Sequence, residues 1–314
     1  PYFPNVQYVD VFSQEAAARI EAGARAVCES VRTEPNLIGY VYNDRPIYDQ
    51  GGTPGGRRLP VHPWVDALRR LPGDRPGKQR WIEVLKQRHA DAKSAAVCHG
   101  IQAGRWEDLL ARLDWPVQRG QPQAEADQAG FLAVIVERWY ELHAAAIRRH
   151  DPNHLILGDK LGGGFAERGA RPGFHRNIPP YLYPILKKHV DVVTVEWYGY
   201  FEDQVTALRN LHRETGKPIL LGDSSFSEVQ PRQDGAKGII VESQEEVGRE
   251  YERYLRQAMD EPFVLGWHFC GYIESWTEPG RPSRFQPQNG FKDPFEKVHE
   301  AAIVRVRAAN QQAK

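Results

Sequence analysis

A chain of 314 residues can bury a core large enough for an enzyme, as one large domain or two ordinary ones. Its 41 basic and 41 acidic side chains cancel, so it lacks the net charge that recruits nucleic acid or an anionic membrane, and we expect a neutral ligand. Eight Trp and 13 Tyr supply flat, amphipathic rings that can stack on sugars, although most aromatic side chains fill the core of a protein.

The short motifs of several other classes are missing from the sequence. Cys28, Cys98 and Cys270 are odd in number and widely spaced, which argues against a disulfide framework and against a zinc site. The eleven His form no H-E-x-x-H arrangement, and neither a phosphate-binding loop nor a G-x-S-x-G nucleophile elbow is present. Since no run of about 18 apolar residues occurs, no membrane span is predicted. The sequence therefore predicts no metal and no cofactor.

The first elements are a helix and a strand. In SQEAAARIEAGARAVCESV, apolar residues including Ile20, Ala24 and Cys28 share one stripe behind Ser13, which is a suitable N-cap. This pattern predicts a surface helix. The segment NLIGYVYND then predicts a strand buried on both faces. Two loop-rich stretches follow, at 45–80 and 90–130, the second with a short helix in GRWEDLL, and we expect both to be functional excursions over one face.

From residue 131 onward, amphipathic helices alternate with apolar strands, which predicts a parallel sheet in an α/β protein. Each strand stops on polar or aromatic residues. In chain order these strand ends are Asn43-Asp44, Asp159-Lys160, Glu196-Trp197-Tyr198, Asp223-Ser224-Ser225, and His268 followed by Glu274 and Trp276.

A single acid at a strand end often caps the next helix, and Asp223 with its two serines could do so. Five such ends in succession favour a site, because the active sites of α/β barrels lie at the carboxyl ends of the strands. Carboxylates and aromatic rings around a cleft are what neutral sugar chemistry requires. Glu196 and Glu274 also have an alternative as salt-bridge partners of arginines.

These segments resemble the strands of clan A glycoside hydrolases, most closely the barrel of β-agarases and related β-galactosidase-like enzymes. NLIGYVYNDRP is similar to the fourth strand of that family, HDPNHLILGDKL to the fifth, VVTVEWYGY to the sixth, TGKPILLGDSSF to the seventh and GWHFCGYIESW to the eighth. The resemblance implies a (β/α)8 barrel of the TIM type that lacks its first three strands. It implies one barrel domain over 1–314, incomplete at the N-terminus, where Pro1 stands in place of an initiator Met.

The resemblance also implies roles for individual residues. Asp44 matches the acid/base and Asp223 the nucleophile, while Asn43 would hold a sugar hydroxyl and Tyr198 would steady the nucleophile. Lys160 and His268 would contact substrate. We expect further substrate contacts from strand-end residues, namely Glu196, Trp197, Glu274 and Trp276.

Both catalytic positions carry Asp where the family has Glu, and each loses one methylene. If the backbone kept the family geometry, the gap between the carboxyl groups would widen to about 8 Å, in the inverting rather than the retaining range. Three readings stay open. The enzyme retains configuration because its backbone has moved inward, it inverts, or the pair is inactive and either Glu196 and Glu274 replace it or the protein only binds sugar.

The function predicted from the sequence is a glycoside hydrolase that cleaves a β-linked, galactose-containing oligo- or polysaccharide. The alternatives are a non-catalytic carbohydrate-binding relative and a barrel enzyme of another class, such as a lyase. The expected partner is carbohydrate, not nucleic acid or membrane, with a homo-oligomer or an N-terminal portion completing the barrel. A secreted or periplasmic location is favoured over a cytoplasmic one.

Overall fold

The computed structural model describes residues 8–44, 46, 48, 61–118, 120–162, 178–228, 239–273, 290–293 and 295–313. The chain forms two compact units. Unit 1 comprises Pro1–Asp159 and Pro180–Val190, and unit 2 comprises Lys160–Pro179 and Asp191–Lys314. In the part of the chain described, no helix is both long and apolar enough to cross a membrane.

Unit 1 is mainly helical, with one pair of parallel strands. The strands are β1 (Gly39–Val41) and β2 (Leu155–Gly158). The helices are α1 (Gln14–Val31), α2 (Pro63–Arg69), α3 (Pro76–Arg88), α4 (Ala92–Cys98), α5 (Trp106–Ala111), α6 (Pro122–His150) and α7 (Leu182–His189).

The N-terminal helix confirms its prediction. Ser13 Oγ accepts a hydrogen bond from the backbone N–H of Ala16 at 3.1 Å, which satisfies one of the free donors at the start of α1. The apolar stripe that includes Ile20, Ala24 and Cys28 is buried, and α1 packs against α6. The strand that follows is shorter than predicted, and Ile38 just before it is 62% exposed.

The prediction that 45–80 and 90–130 are loop-rich is wrong for their described parts. Helices α2, α3, α4 and the start of α6 occupy much of these stretches, in addition to the predicted short helix α5. Pro76 occupies the first turn of α3, where its missing N–H costs nothing. Trp81, Ile82 and Leu85 then form a buried stripe between Lys, Arg and Gln residues. The many Gly, Pro and Arg residues hid this apolar spacing.

Unit 2 contains a four-stranded parallel sheet in the order β3-β4-β5-β8. Its strands are β3 (Leu161–Gly162), β4 (Val193–Glu196), β5 (Ile219–Ser224) and β8 (Val264–Phe269), and a second parallel pair joins β6 (Phe226–Glu228) to β7 (Ile239–Val241). Its helices are α8 (Phe201–Thr215), α9 (Gln244–Met259) and α10 (Glu300–Gln312).

The predicted alternation of helices and parallel strands is confirmed. The strands expected before Asp44, Asp159, Glu196, Asp223 and His268 are β1, β2, β4, β5 and β8, and all of their pairings are parallel. Helix α8 ends where Gly216 adopts a φ of +67°, a left-handed conformation that glycine takes without strain. The chain is therefore a parallel α/β protein. Closure of the strands into one barrel over 1–314 stays a prediction.

Candidate active site

Asp223 lies near the carboxyl end of β5, where the strand departs from regular pairing. Val195 of β4 pairs with Leu221, but the next residue, Glu196, pairs with Asp223, so Gly222 is passed over. The pairing of β5 with β8 is also irregular between Leu221 and Ser224. Such bulges re-aim side chains and are frequent beside active sites. Here the bulge places Glu196 opposite Asp223.

Gly222 has no room for a side chain. A Cβ at this position would lie 2.7 Å from Thr194 Cγ2, 3.2 Å from the carbonyl oxygen of Val195 and 3.5 Å from Lys160 Cδ. The glycine therefore permits the close approach of β5 to β4 that aligns Asp223 with its neighbours.

Two basic side chains, one just before β3 and one on β8, hold the Asp223 carboxylate. Lys160 Nζ, just before β3, donates to Oδ2 at 2.6 Å, and His268 Nδ1, on β8, donates to Oδ1 at 2.8 Å. The same His268 nitrogen lies 2.9 Å from the carbonyl oxygen of Gly222. Because both of its partners are acceptors, Nδ1 carries a proton. We call Lys160, Asp223 and His268 the Asp223 group.

The Asp223 group favours its charged form. Burial alone would raise the pKa of Asp223, but hydrogen bonds from His268 and Lys160, with the charge of Lys160, outweigh burial and lower that pKa. Reciprocally, the hydrogen bond to Asp223 raises the pKa of His268. The Asp223 and Lys160 side chains are 8% and 9% exposed, whereas that of His268 is 67% exposed. The carboxylate is thus ionised and has one partner facing solvent.

The end of β4 adds partly exposed residues beside Asp223. The backbone N–H of Trp197 donates to the carbonyl oxygen of Asp223 at 3.0 Å. Burial raises the pKa of Tyr198, which is hydrogen-bonded to Cys270. The predicted role of Tyr198 in steadying Asp223, and the substrate contacts of Glu196 and Trp197, stay predictions.

The alternative that Asp223 caps a helix is wrong. The chain continues from β5 into the short strand β6, and no helix starts after Ser225 in this described stretch. Ser224 does not cap a helix either, and its Oγ accepts a hydrogen bond from Trp267 Nε1 at 2.7 Å. Sequence reasoning missed Trp267, although it directly precedes His268 and its side chain lies between Tyr251 and Tyr254 on α9.

In unit 1, a polar network lies just after β1. Asn43 is buried, and its Nδ2 donates to Asp159 Oδ1 at 2.7 Å. Tyr48 donates to Oδ2 of the same carboxylate at 3.0 Å and lies 2.7 Å from the hydroxyl of Tyr140. Burial raises the pKa of Asp159 to about 6 despite these bonds. Asp159 therefore orients Asn43.

Asp44 follows Asn43 and is exposed. Its role as acid/base, and that of Asn43 toward a sugar hydroxyl, stay predictions. Glu274 and Trp276 lie outside the described residues.

The sequence matches no family model. It is 22% identical over 204 residues to beta-agarase B of Vibrio sp. (strain JT0107), an alignment that covers 64% of this chain and 20% of that protein. The chain thus spans about a fifth of the curated relative that it matches. The sequence resemblance to β-agarases has support from this match.

Solved structures show the same fold. An exo-beta-agarase superposes with a TM-score of 0.76 at 20% identity, covering 99% of this chain and 41% of that one. The agarase AgWH50C superposes with a TM-score of 0.77 at 18% identity, covering 99% and 43%. The chain has the fold of part of these agarases, and it spans less than half of the length of either structure.

Proposed function

We propose that this chain is part of a glycoside hydrolase that acts on an agar-like, β-linked galactose polysaccharide, and that Asp223 is its ionised catalytic carboxylate. The observation that carries the proposal is the Asp223 group. A carboxylate at the end of a parallel strand is kept charged by Lys160 and His268. The fold shared with agarase structures and the match to beta-agarase B support the substrate class.

The hydrogen bonds to the two carboxylate oxygens of Asp223 indicate which catalytic role this residue can take. Glycoside hydrolysis needs one carboxylic acid that gives a proton to the leaving oxygen and one carboxylate that stays charged near the anomeric carbon. The hydrogen bonds from Lys160 and His268 lower the pKa of Asp223, which suits the second task and not the first. Asp223 would attack the anomeric carbon in a retaining enzyme or activate a water in an inverting one.

The proton donor in this proposal is Asp44, on the family resemblance alone. The proposal allows retention or inversion, because both acids are one methylene shorter than the family's Glu. The anomer formed first from an agaro-oligosaccharide, followed by NMR, decides between them. A first product with the anomeric configuration of the substrate rules out inversion.

The wider architecture proposed is a (β/α)8 barrel of which this chain carries the fourth to eighth strands. The parallel strands and the fold shared with agarase structures support this arrangement. The part of each agarase that this chain does not cover leaves room for the first strands and their substrate contacts.

The test is hydrolysis of agaro-oligosaccharides and aryl β-galactosides by the 314-residue chain. We expect turnover by wild type and a loss of roughly 10⁴-fold in Asp223→Asn, which removes the charge but keeps the shape. The matched control is Asp203→Asn, an exposed carboxylate in the first turn of α8, which should keep wild-type turnover. Equal and measurable rates for wild type and Asp223→Asn would refute the role of Asp223.

A second candidate function is carbohydrate binding without catalysis. The observation that favours it is that both oxygens of Asp223 already accept hydrogen bonds from the protein, at 2.6 and 2.8 Å. A carboxylate bound in this way can be a stable structural anchor for a sugar-binding surface. Calorimetry with agaro-oligosaccharides discriminates the two functions, since binding with no turnover supports this candidate. Analysis of the products identifies a lyase, which would form an unsaturated sugar.

A further inference from the structure

A second group of side chains with metal-binding atoms lies in unit 1. His89 follows the last residue of α3, Cys98 ends α4, His99 follows it, and Asp127 lies in the second turn of α6. One donor atom from each of these four residues lies within 4.8 Å of the other three. We call them the Asp127 group.

The two oxygens of Asp127 face different partners. Oδ2 lies 2.7 Å from His89 Nε2, 3.1 Å from His99 Nε2 and 3.8 Å from Cys98 Sγ. Oδ1 instead accepts hydrogen bonds from Arg88 Nε at 2.7 Å and Gln123 Nε2 at 3.1 Å. One oxygen thus points at two imidazoles and a thiol, while the other is anchored by groups that cannot bind a metal.

These different partners of Oδ1 and Oδ2 are what is expected for a metal-binding carboxylate and the residues that orient it. In metal sites, ligand side chains are commonly oriented by hydrogen bonds to atoms that do not touch the ion. Arg88 and Gln123 occupy that position toward Asp127. The rings of Trp81 and Trp115 pack edge-on against His99, with centroids 5.4 and 5.5 Å away, which fixes the imidazole plane.

The donor set suits zinc, and its dimensions are close to those of a zinc site. Imidazole nitrogen, thiolate and carboxylate are all ligand types that tetrahedral Zn²⁺ takes in proteins, and the two anions neutralise the ion. Zinc bonds of about 2.0–2.3 Å place tetrahedral donors roughly 3.3–3.7 Å apart. The three distances to Asp127 Oδ2 lie outside that range, at 2.7 and 3.1 Å from the two imidazoles and 3.8 Å from the thiol. Adjustments of about 1 Å or less would complete the geometry.

We propose that His89, Cys98, His99 and Asp127 bind a structural Zn²⁺ ion that ties the ends of α3 and α4 to α6. Four protein ligands leave no open position, which is the mark of a structural and not a catalytic zinc. The side chains of His89, His99 and Asp127 are 6%, 1% and 0% exposed, which also suits a closed site, and Cys98 is half-buried. Binding would release the Cys98 proton to solvent, since zinc coordinates the thiolate.

Sequence spacing could not reveal this site, and the sequence predicted no metal. His89 and Asp127 are 38 residues apart, and the cluster forms only when the ends of α3 and α4 reach α6. Known zinc motifs are found by two short, local ligand pairs, whereas here only Cys98 and His99 are close in sequence.

The alternative is a hydrogen-bonded cluster in which Asp127 simply accepts from its neighbours. The two explanations rank the substitutions differently. In the hydrogen-bonded cluster, Cys98 contributes only a weak contact at 3.8 Å, so Cys98→Ala should matter little. In the zinc site, Cys98→Ala removes a ligand.

The test uses the 314-residue chain purified without a polyhistidine tag and dialysed against a chelator. Zn²⁺ affinity is measured by competition with a chromophoric chelator, and metal content by mass spectrometry. We expect one tightly bound zinc per chain and a rise in the thermal midpoint when zinc is added. Cys98→Ala should weaken binding by at least about 100-fold, the upper end of what outer-shell changes cause. The matched control, Cys28→Ala, replaces a buried cysteine of α1 outside the cluster and should bind as wild type does.

A measurement on the wild-type chain keeps the test independent of how the variants fold. Co²⁺ added in place of zinc should give a thiolate-to-cobalt charge-transfer band in the near ultraviolet and strong visible bands of tetrahedral Co²⁺. Cobalt spectra without the thiolate band, no bound zinc, or equal zinc affinities of wild type and Cys98→Ala would each overturn the proposal. None of these readouts depends on hydrolysis of a sugar.

Discussion

Two buried aspartates, Asp223 in unit 2 and Asp127 in unit 1, have similar hydrogen-bond partners but differ in how far those partners are exposed to solvent. Each carboxylate is at most 8% exposed and is held by basic or imidazole groups on both oxygens. The pKa of each is lowered despite burial. Around Asp127 both histidines are buried, whereas the His268 side chain beside Asp223 is 67% exposed.

The difference originates in the elements that supply the side chains. Asp223 lies near the carboxyl end of β5, where His268 of the adjacent strand β8 and Lys160, just before β3, reach its carboxylate. Asp127 lies on a long helix and is enclosed by the ends of two others. Strand ends leave a face on which a ligand can be bound. Enclosed helix ends leave none, so the Asp127 group is expected to stabilise and the Asp223 group to react or bind.

The largest effect on stability is expected from Asp127→Ala. This change leaves Arg88 and two buried imidazoles without their acceptor. Removing one partner of a buried ion pair costs about 3–5 kcal/mol, and we expect the lower end because the Arg88 side chain is 35% exposed. Urea unfolding in the presence of a chelator measures the free energy of unfolding without a metal contribution. The control Asp114→Ala breaks an exposed ion pair with Arg70 and should cost far less. Similar losses in both variants would contradict the comparison.

The next effect is expected from Lys160→Gln. The change removes the ammonium group 2.6 Å from Asp223 Oδ2 and should cost about 1.5–3 kcal/mol, since the pair is buried and charged but His268 still holds the other oxygen. The pKa of Asp223 should rise. Carboxyl ¹³C NMR titration measures that pKa, with Asp223→Asn assigning the signal. Lys188→Gln, which removes an exposed lysine paired with Glu137, is the control and should leave the titration unchanged.

Gly222→Ala tests whether the geometry of the Asp223 group depends on the close packing of β4 against β5. A Cβ would lie 2.7 Å from Thr194 Cγ2, so β4 and β5 must separate slightly, and overpacking of this kind costs about 1–3 kcal/mol. Any turnover found for wild type should be lower in Gly222→Ala, because Asp223 is the next residue and would be displaced. Gly266→Ala on β8 is the control, since the nearest atom to its Cβ would be 3.7 Å away. If both variants unfold alike, the bulge has no special role.

Sequence reasoning named the three residues of the Asp223 group, with Lys160 and His268 as substrate contacts and not as partners of Asp223, and it missed the Asp127 group. The substrate contacts stay predictions, and one physical reason explains why only the first set was named. Apolar runs that end in polar residues are a local pattern, and parallel topology then brings the ends of successive strands to one edge. Asp223, Lys160 and His268 were accessible in this way. The enclosure of Asp127 depends on where α3 and α4 end against α6, which no local pattern records. The same reason explains the missed strands β3, β6 and β7, which have two or three residues each and no periodicity to detect.

The smallest effect is the pH dependence that His268 brings to stability. Its pKa is raised in the folded protein by the hydrogen bond to Asp223, so its contribution is fully present below the ordinary histidine pKa of about 6.5 and is lost as pH rises through the raised value. Asp223 stays ionised throughout this window because its own pKa is lowered. Since the ring is mostly exposed, the contribution should be below about 1 kcal/mol.

The measurement compares the unfolding free energies of wild type and His268→Gln at about pH 5.5 and about pH 9, on either side of the histidine transition. The amount by which the unfolding free energy of wild type exceeds that of His268→Gln, here called the wild-type advantage, should be larger at the lower pH. In an Asp223→Asn background the advantage should lose its pH dependence, because the carboxylate that raises the pKa of His268 is gone. An advantage that grows with pH would mean that His268 is neutral beside Asp223, and the contrast between a charged, solvent-facing partner there and the enclosed histidines of the Asp127 group would then fail.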